Sequence, residues 1–348
     1  MIRNSISKRF SKDLIAWYHT SGRFDLPWQK NKTAYRVWIS EVMLQQTQVT
    51  TVIPYYKRFM KSFSSIKKLA TADEDFVLSH WSGLGYYARC RNLHKASKVI
   101  HDQHKGRFPK TNEELQELPG IGKSTAGAIL SFAYDLPTTI CDGNVKRVLA
   151  RVFAVDKPKQ TTEAINLFWD IATALTPQED TAYYNQAIMD VGATICTRTK
   201  PACDECPFIS YCKAHKLKRE TDFPVSKKKK VNPIKHLHLL IFTDHEGKIL
   251  LEKRPSTGIW GGLWSFPECE LDIDIYNWCK KQFGFDIKNI EELKVLVHKF
   301  SHYTLNISPL KILIQSNSKV IRNTASQHWH KKNDILPGGI PGPIKRYL

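Results

Sequence analysis

The sequence predicts a multidomain protein, an all-α domain followed by a smaller α+β domain, and three observations carry that prediction. Its 348 residues exceed the length at which one hydrophobic core usually stops growing, so two domains are the natural expectation. Between residues 10 and 215, apolar residues recur at spacings of three and four, as in VWISEVMLQQTQVTTVIPYYKRFM, NLHKASKVI, STAGAILSFAY and NVKRVLARVFAV, while strand patterns are nearly absent. After Cys212 the polar stretch KAHKLKRETDFPVSKKKKVNP has a linker composition, and beyond it the period falls to two.

Taken in order, MIRNSISKRFSK is basic and acid-poor, but it runs straight into LIAWYHT without a signal-type apolar core or cleavage site. It therefore reads as the first helix of a domain spanning 1–215. A basic linker follows over 216–233, and the α+β domain occupies 234–348. There HLHLLIFT, KILLEKR and LVHKFSHYTLNISPLKILI read as strands, SFPECE as part of a turn region, and IYNWCKKQFG as one amphipathic helix. No internal repeat is visible, and the lysine run is the only low-complexity tract.

With 42% hydrophobic and 11% aromatic residues, both domains can bury proper cores. The 52 Lys+Arg against 33 Asp+Glu give a net charge of +19, more than solubility needs, which points to a polyanionic partner and first of all to nucleic acid. A membrane role is disfavoured, because no apolar run reaches spanning length and no basic amphipathic helix is long enough to anchor. A soluble monomer is expected. Of eight cysteines, four crowd into residues 196–212, which is not the arithmetic of a secreted disulfide framework. A reducing intracellular compartment follows, cytoplasmic and DNA-associated.

That crowded stretch reads Cys196-x6-Cys203-x2-Cys206-x5-Cys212. Its spacing lets one centre collect four thiolates, as tetrahedral zinc or a [4Fe–4S] cube, and spacing alone does not choose between them. Unligated core cysteines would sit oddly in a segment as polar as TRTKPACDECP.

In LPGIGKSTAGAIL, residues 118–130, two glycines stand between the helical pattern TNEELQEL and a helix starting near Lys123. Such a turn leaves backbone N–H groups uncovered at a helix N-terminus, where the dipole also favours an anion. Donors from the Gly120–Gly122 turn would grip one phosphate irrespective of sequence. An ordinary interhelical turn is the plain alternative.

Two carboxylates stand out. Asp142, in TTICDGNVKRVLAR, precedes a helical pattern and is expected to be an N-cap accepting from the N–H of Asn144 or Val145, which would lower its pKa. Glu41, in VWISEVMLQQTQV, is flanked by Trp38, Val42 and Met43, so partial burial should raise its pKa. Carboxylates pushed apart in this way suit an acid and an electrostatic stabiliser acting on one substrate. Cleavage of a glycosidic bond needs that division: a proton for the leaving group and negative charge beside an oxocarbenium ion.

WISEVMLQQTQV, GLGYYARCRNLHKA, LPGIGKSTAGAIL and DGNVKRVLAR, followed by the cysteine loop, together resemble the MutY-type adenine DNA glycosylases of the endonuclease III, or helix-hairpin-helix, superfamily. The resemblance implies an all-α helix-hairpin-helix glycosylase domain whose 196–212 loop holds a [4Fe–4S] cluster. It implies a monofunctional enzyme of base-excision repair that excises adenine from double-stranded DNA containing A:8-oxoguanine or A:G mispairs. Glu41 would protonate adenine at N7 and then assist the water, Asp142 would stabilise the cation, and Asn144 would help orient both. Bifunctional relatives carry a Schiff-base lysine directly before the threonine of the hairpin motif. Here that place is Ser124, and Lys123, about a hundred degrees away around the helix, would face a phosphate instead. Arg198 and Lys200, in the long first cysteine loop, would approach another.

A target adenine must be flipped out of the duplex and its place filled. WSGLGYYARCR, residues 81–91, interleaves aromatics, glycines and arginines as a wedge would require. With the resemblance, Gln46 and Tyr86 are the expected wedges, Thr47 and Leu84 lie near the orphaned 8-oxoguanine, and Trp28, Gln29 and Gln186 match adenine-pocket positions. Relatives often have arginine where Gln29 stands. The second domain resembles the Nudix-like C-terminal domain of the same family through GIWGGLWSFP and HKFSHYTL, with Phe300, Ser301 and His302 in the lesion-inspecting loop. DIYNWCKKQFG lacks the glutamates of a Nudix box, so a reader without pyrophosphatase activity is expected. Two rivals remain: an endonuclease III-type glycosylase/lyase acting on oxidised pyrimidines, disfavoured by Ser124 and the second domain, and a catalytically silent iron–sulfur DNA-binding protein, disfavoured by Glu41 and Asp142.

Overall fold

The computed structural model describes residues 4–227, 231–300, 302–315 and 324–348. The helices run α1 (Asn4–Ser21), α2 (Ala34–Leu44), α3 (Val49–Ser62), α4 (Ile66–Ala70), α5 (Glu74–Trp81), α6 (Ala88–Asp102), α7 (Asn112–Glu117), α8 (Lys123–Tyr134), α9 (Gly143–Phe153), α10 (Thr162–Leu175), α11 (Thr181–Asp190) and α12 (Lys213–Lys216). Then come β1 (Ile234–Thr243), β2 (Ile249–Lys253), β3 (Trp264–Ser265), β4 (Glu268–Cys269), α13 (Ile275–Phe283), β5 (Ile287–Glu292), β6 (Leu296–Lys299), β7 (Thr304–Ile314), β8 (Gln327–His330) and α14 (Gly342–Lys345). Among the described residues no strand precedes Ile234, in line with the change of period. No described helix is long and apolar enough to cross a membrane.

The chain forms two compact units, Met1–Ala70 with Lys95–Lys229, and Thr71–His94 with Lys230–Leu348. In the first, α1 turns Phe10 and Leu14 inward to join Phe168, Tyr184 and Phe208 in one core, with the rings of Phe10 and Phe208 stacked at 4.2 Å. Helix α2 is buried on nearly every face, from Tyr35 and Val37 through Trp38, Ile39 and Ser40 to Met43. A helix apolar all round belongs inside a core, so Glu41 within it is conspicuous. Helix α9 opens at the Asp142 cap and closes at Ala154, whose φ of 52° ends the helix in a left-handed turn.

The second unit is built on a mixed sheet of order β3-β2-β1-β7-β5. Its central pair, β1 and β7, runs parallel from Ile234 opposite Thr304 to Thr243 opposite Leu313. The neighbouring pairs are antiparallel. Cys279 of α13 packs with Leu240, Phe242, Phe285, Ile312 and Trp329. The segment Thr71–His94, which the sequence places in the helical domain, belongs to this unit. Asp75 meets Lys253 at 2.7 Å, Ser82 Oγ donates to the Ile340 carbonyl at 2.7 Å, and Arg91 donates to the Gly261 carbonyl.

Candidate active site and cysteine loop

Asp142 is the N-cap of α9, its Oδ1 accepting from the Val145 N–H at 2.8 Å. The cap is as the sequence predicts, but its electrostatic consequence is not. Burial raises the Asp142 pKa and outweighs the Val145 and Asn144 hydrogen bonds and the Arg147 charge, all of which lower it. This corrects the expectation of a depressed value: a local cap is legible in sequence, whereas the desolvation opposing it comes from the fold. Glu41 behaves as expected, pushed up to about 8 by burial first and by the Asp142 charge second. Burial raises both carboxyls, the Asp142 charge adds to the shift at Glu41, and both residues keep a partly exposed surface.

The cap is tied to the cysteine loop through Asn144 and then Arg147, the second of which the sequence reading does not single out. Asn144 Nδ2 donates to Asp142 Oδ2 at 3.2 Å, and Asn144 Oδ1 accepts from Arg147 Nη2 at 2.8 Å. Arg147 also donates through Nε to the Cys196 carbonyl at 2.7 Å, and through Nη2 to the Gly192 carbonyl. The Gly192 carbonyl belongs to a π-helical turn, Val191–Ile195, and Cys196 is the residue that caps it. Gly192 permits the close approach, since a Cβ there would lie 2.6 Å from the Asn144 Cβ.

One turn further along α9, Arg151 is 2% exposed and is likewise not singled out by sequence. Its guanidinium donates to the carbonyls of Phe223 (3.1 Å), Thr197 (2.7 Å) and Arg198 (3.0 Å) and to Cys196 Sγ (3.2 Å). Cys196, Cys203, Cys206 and Cys212 line one enclosed space together with Arg151 and Phe208. Burial first, and then neighbouring negative sulfurs, push Cys206 up to about 12. Four sulfur donors around a common space therefore fit a cationic four-thiolate centre, by donor chemistry either zinc or [4Fe–4S].

Helix α7 begins with a reciprocal cap, the Glu114 N–H bonding Thr111 Oγ1 while that hydroxyl donates to Glu114 Oε2 at 2.6 Å. The turn after it carries Gly120 at φ 79°. Helix α8 then starts at Lys123 on Gly122, which offers no side-chain cap and has open space where a Cβ would stand. Its first N–H groups are left for an external acceptor. The Lys123 ammonium lies 4.2 Å from the centre of the Trp169 ring, and Ser124 Oγ accepts from the Cys141 N–H at 3.2 Å, beside Asp142. Arg198 and Lys200 are exposed.

Gln46 is exposed and held at φ 56°, and Tyr86 is 50% exposed at φ 50°. Left-handed backbone at bulky residues marks constraint and is concentrated at functional sites. Thr47 is half-buried, its hydroxyl donating to the Gln45 carbonyl at 3.3 Å. Trp28 is buried edge-on to Tyr56 at 5.5 Å. Both Gln29 amide atoms are enclosed without a hydrogen-bond partner, whereas Gln186 donates to Asp190 at 3.0 Å. Asp190 is itself fully buried and paired with Arg23 at 2.6 Å, another link the sequence reading misses.

In the second unit Leu84 is buried, and the guanidinium of Arg89 lies 5.4 Å from the Tyr86 ring and 5.5 Å from Trp81. Phe300 stacks on Tyr303 at 4.8 Å, and His302 meets Tyr303 edge-on at 4.6 Å. Ser301 lies outside the described residues.

Comparison with known proteins gives matches for both parts of the chain. A family described as the HhH-GPD superfamily of base excision DNA repair proteins matches residues 39–172, and the NUDIX domain family matches 238–348. The adenine DNA glycosylase of Buchnera aphidicola subsp. Baizongia pistaciae is 41% identical over 339 residues, covering 97% of this chain and 95% of that protein. The adenine DNA glycosylase of Rattus norvegicus is 31% identical over 400 residues, covering 97% and 77%. Among solved structures, a thermostable thymine-DNA glycosylase aligns with a TM-score of 0.56 at 24% identity, over 62% of this chain and 98% of that one. Endonuclease III from a non-covalent DNA complex aligns with a TM-score of 0.53 at 19% identity, over 63% and 99%. At such identities these two structures speak for the fold.

Proposed function

The chain belongs to the adenine DNA glycosylase family, and on that premise we propose that it is a monofunctional enzyme removing adenine mispaired with 8-oxoguanine, and with guanine, in base-excision repair. The observation that carries this reading is the Glu41–Asp142 pair, two carboxyls that feel one another's charge, with Glu41 held neutral to about pH 8 and Asp142 bound by the Val145 N–H and the Asn144 amide. Glu41 delivers a proton to N7 of the flipped adenine, which weakens the glycosidic bond, and then assists the attacking water. Asp142 stabilises the oxocarbenium ion with its negative charge, and Asn144 orients it. Ser124 offers no amine for a Schiff base, so the sugar is left as an abasic site without strand cleavage.

In this reading the helical domain, 1–215, faces the target strand. The Gly120–Gly122 turn and Lys123 grip one phosphate, with Arg198 and Lys200 near another. Gln46 and Tyr86 fill the vacated stack. Trp28, Gln29 and Gln186 line the adenine pocket, and the unpartnered Gln29 amide is suited to a base edge. Cys196, Cys203, Cys206 and Cys212 would hold a [4Fe–4S] cluster, which when bound closes the loop carrying Arg198 and Lys200. Beyond the 216–233 linker, the 234–348 domain reads the orphaned 8-oxoguanine through Phe300, Ser301 and His302, with Thr47 and Leu84 beside the lesion.

The test is incubation with end-labelled duplexes bearing A:8-oxoguanine, A:G, A:C or thymine glycol, each followed by alkali. Breaks at adenine that appear only after alkali, fastest opposite 8-oxoguanine, are expected. Breaks without alkali, or at thymine glycol, would favour a glycosylase/lyase acting on pyrimidines.

A further inference from the structure

Trp260, like Gln46 and Tyr86, is held in left-handed backbone, with φ 51°. A side chain as bulky as tryptophan holds such a conformation only where its surroundings over-determine it. The constraints are explicit. Arg254 donates through Nε to the Ile259 carbonyl and through its backbone N–H to the Leu263 carbonyl, both at 2.8 Å. Its other nitrogens make a bidentate pair with Glu268 at 2.7 and 2.8 Å, and the guanidinium lies 5.8 Å from the Trp260 ring. Gly262 closes the turn onto the Pro255 carbonyl at 2.9 Å, and a Cβ on Gly261 would strike the Ser256 carbonyl oxygen at 2.6 Å.

This scaffold delivers an indole that is 8% exposed and packs against the proposed lesion loop. Its ring centre is 5.7 Å from His298 and 5.8 Å from Phe300. Phe300 is closed onto Tyr303 by a backbone hydrogen bond of 2.9 Å as well as by stacking. The same turn is fastened on its other side to the segment bearing the wedge. Arg91 of α6 donates to the Gly261 carbonyl, and its Cδ lies 3.5 Å from the Cβ position of Gly262. Arg91, in the first turn of α6, lies seven residues after Leu84 and five after Tyr86.

We propose that Trp260 is a positioning residue for opposite-base recognition: its ring sets Phe300 against the partner base, on a turn anchored through Arg91 to the segment that carries Tyr86. The proposal rests on the reading of Phe300 as part of the lesion loop. Strained backbone is retained here because it aims a ring that glycine, though at ease at that φ, does not possess.

The experiment compares single-turnover excision from A:8-oxoguanine and A:G duplexes by the full-length protein, its Trp260→Gly, Trp260→Phe, Arg91→Met and Phe300→Ala variants, and the Trp260→Gly/Phe300→Ala double variant. Taking the ratio of the two rates makes each variant its own control for folding. Trp260→Gly suits the backbone but deletes the ring, and it is expected to lower the 8-oxoguanine preference about 3- to 10-fold, the range of an aromatic contact. Trp260→Phe should restore most of that preference, and Arg91→Met should lower it. In the Phe300→Ala background, Trp260→Gly should cost nothing further. An unchanged ratio in Trp260→Gly, a loss shared equally by both duplexes, or additive effects with Phe300→Ala would overturn the proposal. A silent Phe300→Ala would remove the lesion-loop reading itself, a separate failure recognised by that variant alone.

Discussion

Asn144 stands between Asp142 and Arg147, donating to the carboxylate at 3.2 Å and accepting from the guanidinium at 2.8 Å. Because Arg147 also holds the Cys196 carbonyl at 2.7 Å, the charge proposed to face the oxocarbenium ion is two side chains away from the cysteine loop. Arg147→Met should therefore misplace Asp142. Hydrogen bonds to charged groups are worth about 1.5–3 kcal/mol, so a loss of about 10- to 150-fold in single-turnover adenine excision is expected. Binding to undamaged duplex should change far less. Wild-type excision by this variant would show that the bridge leaves Asp142 unaffected.

The two carboxyls give the pH dependence. Excision requires Glu41 protonated and Asp142 ionised, so the rate should fall as pH passes about 8 and fall again on the acid side, where Asp142, its own pKa raised by burial, takes up a proton. The stability that Glu41 contributes also falls with rising pH. In the unfolded chain this carboxyl ionises near 4.5 and in the folded protein near 8, so its contribution is full below the first value and declines as pH rises to the second. Glu41→Gln cannot ionise, and its melting temperature relative to wild type should rise between about pH 5 and pH 8. A constant difference across that window would mean Glu41 is already charged.

Ser124 accepts from the Cys141 N–H, next in sequence to Asp142. A lysine there would bring an amine to the same neighbourhood. Ser124→Lys should acquire a borohydride-trappable covalent complex with abasic product, a band the wild-type protein gives weakly or not at all. No trapped band would place position 124 out of reach of the sugar.

Arg151 satisfies three carbonyls and a cysteine sulfur while almost wholly buried. Arg151→Met fills similar volume and strands all four acceptors. The variant should carry markedly less iron and acid-labile sulfide per chain and melt lower. Full cluster content with an unchanged melting temperature would make Arg151 dispensable to the loop.

Much of this site is legible in the sequence for local reasons. Glu41 is a carboxyl flanked by apolar residues in a largely buried helix, Asp142 sits where a cap belongs, and the cysteines betray themselves by spacing. What is not legible depends on partners far along the chain. Arg147 and Arg151 carry no signal in the sequence, because the carbonyls and the sulfur that they bond lie 45 to 72 residues away. The direction of the Asp142 shift is hidden for the same reason. The membership of Thr71–His94 in the sheet-bearing unit rests on contacts such as Ser82 to Ile340, 258 residues apart, and Trp260 shows only as one aromatic in a glycine-rich turn.

Whether Glu41 and Asp142 divide the work of cleaving the glycosidic bond is decided by single-turnover excision on an A:8-oxoguanine duplex. Wild type, Glu41→Gln and Asp142→Asn would be compared, with binding to the same duplex measured in parallel. Each variant removes transition-state chemistry and leaves the phosphate grip in place. Excision should nearly vanish in both while binding stays measurable. Near wild-type cleavage by either variant would contradict the assignment at that residue.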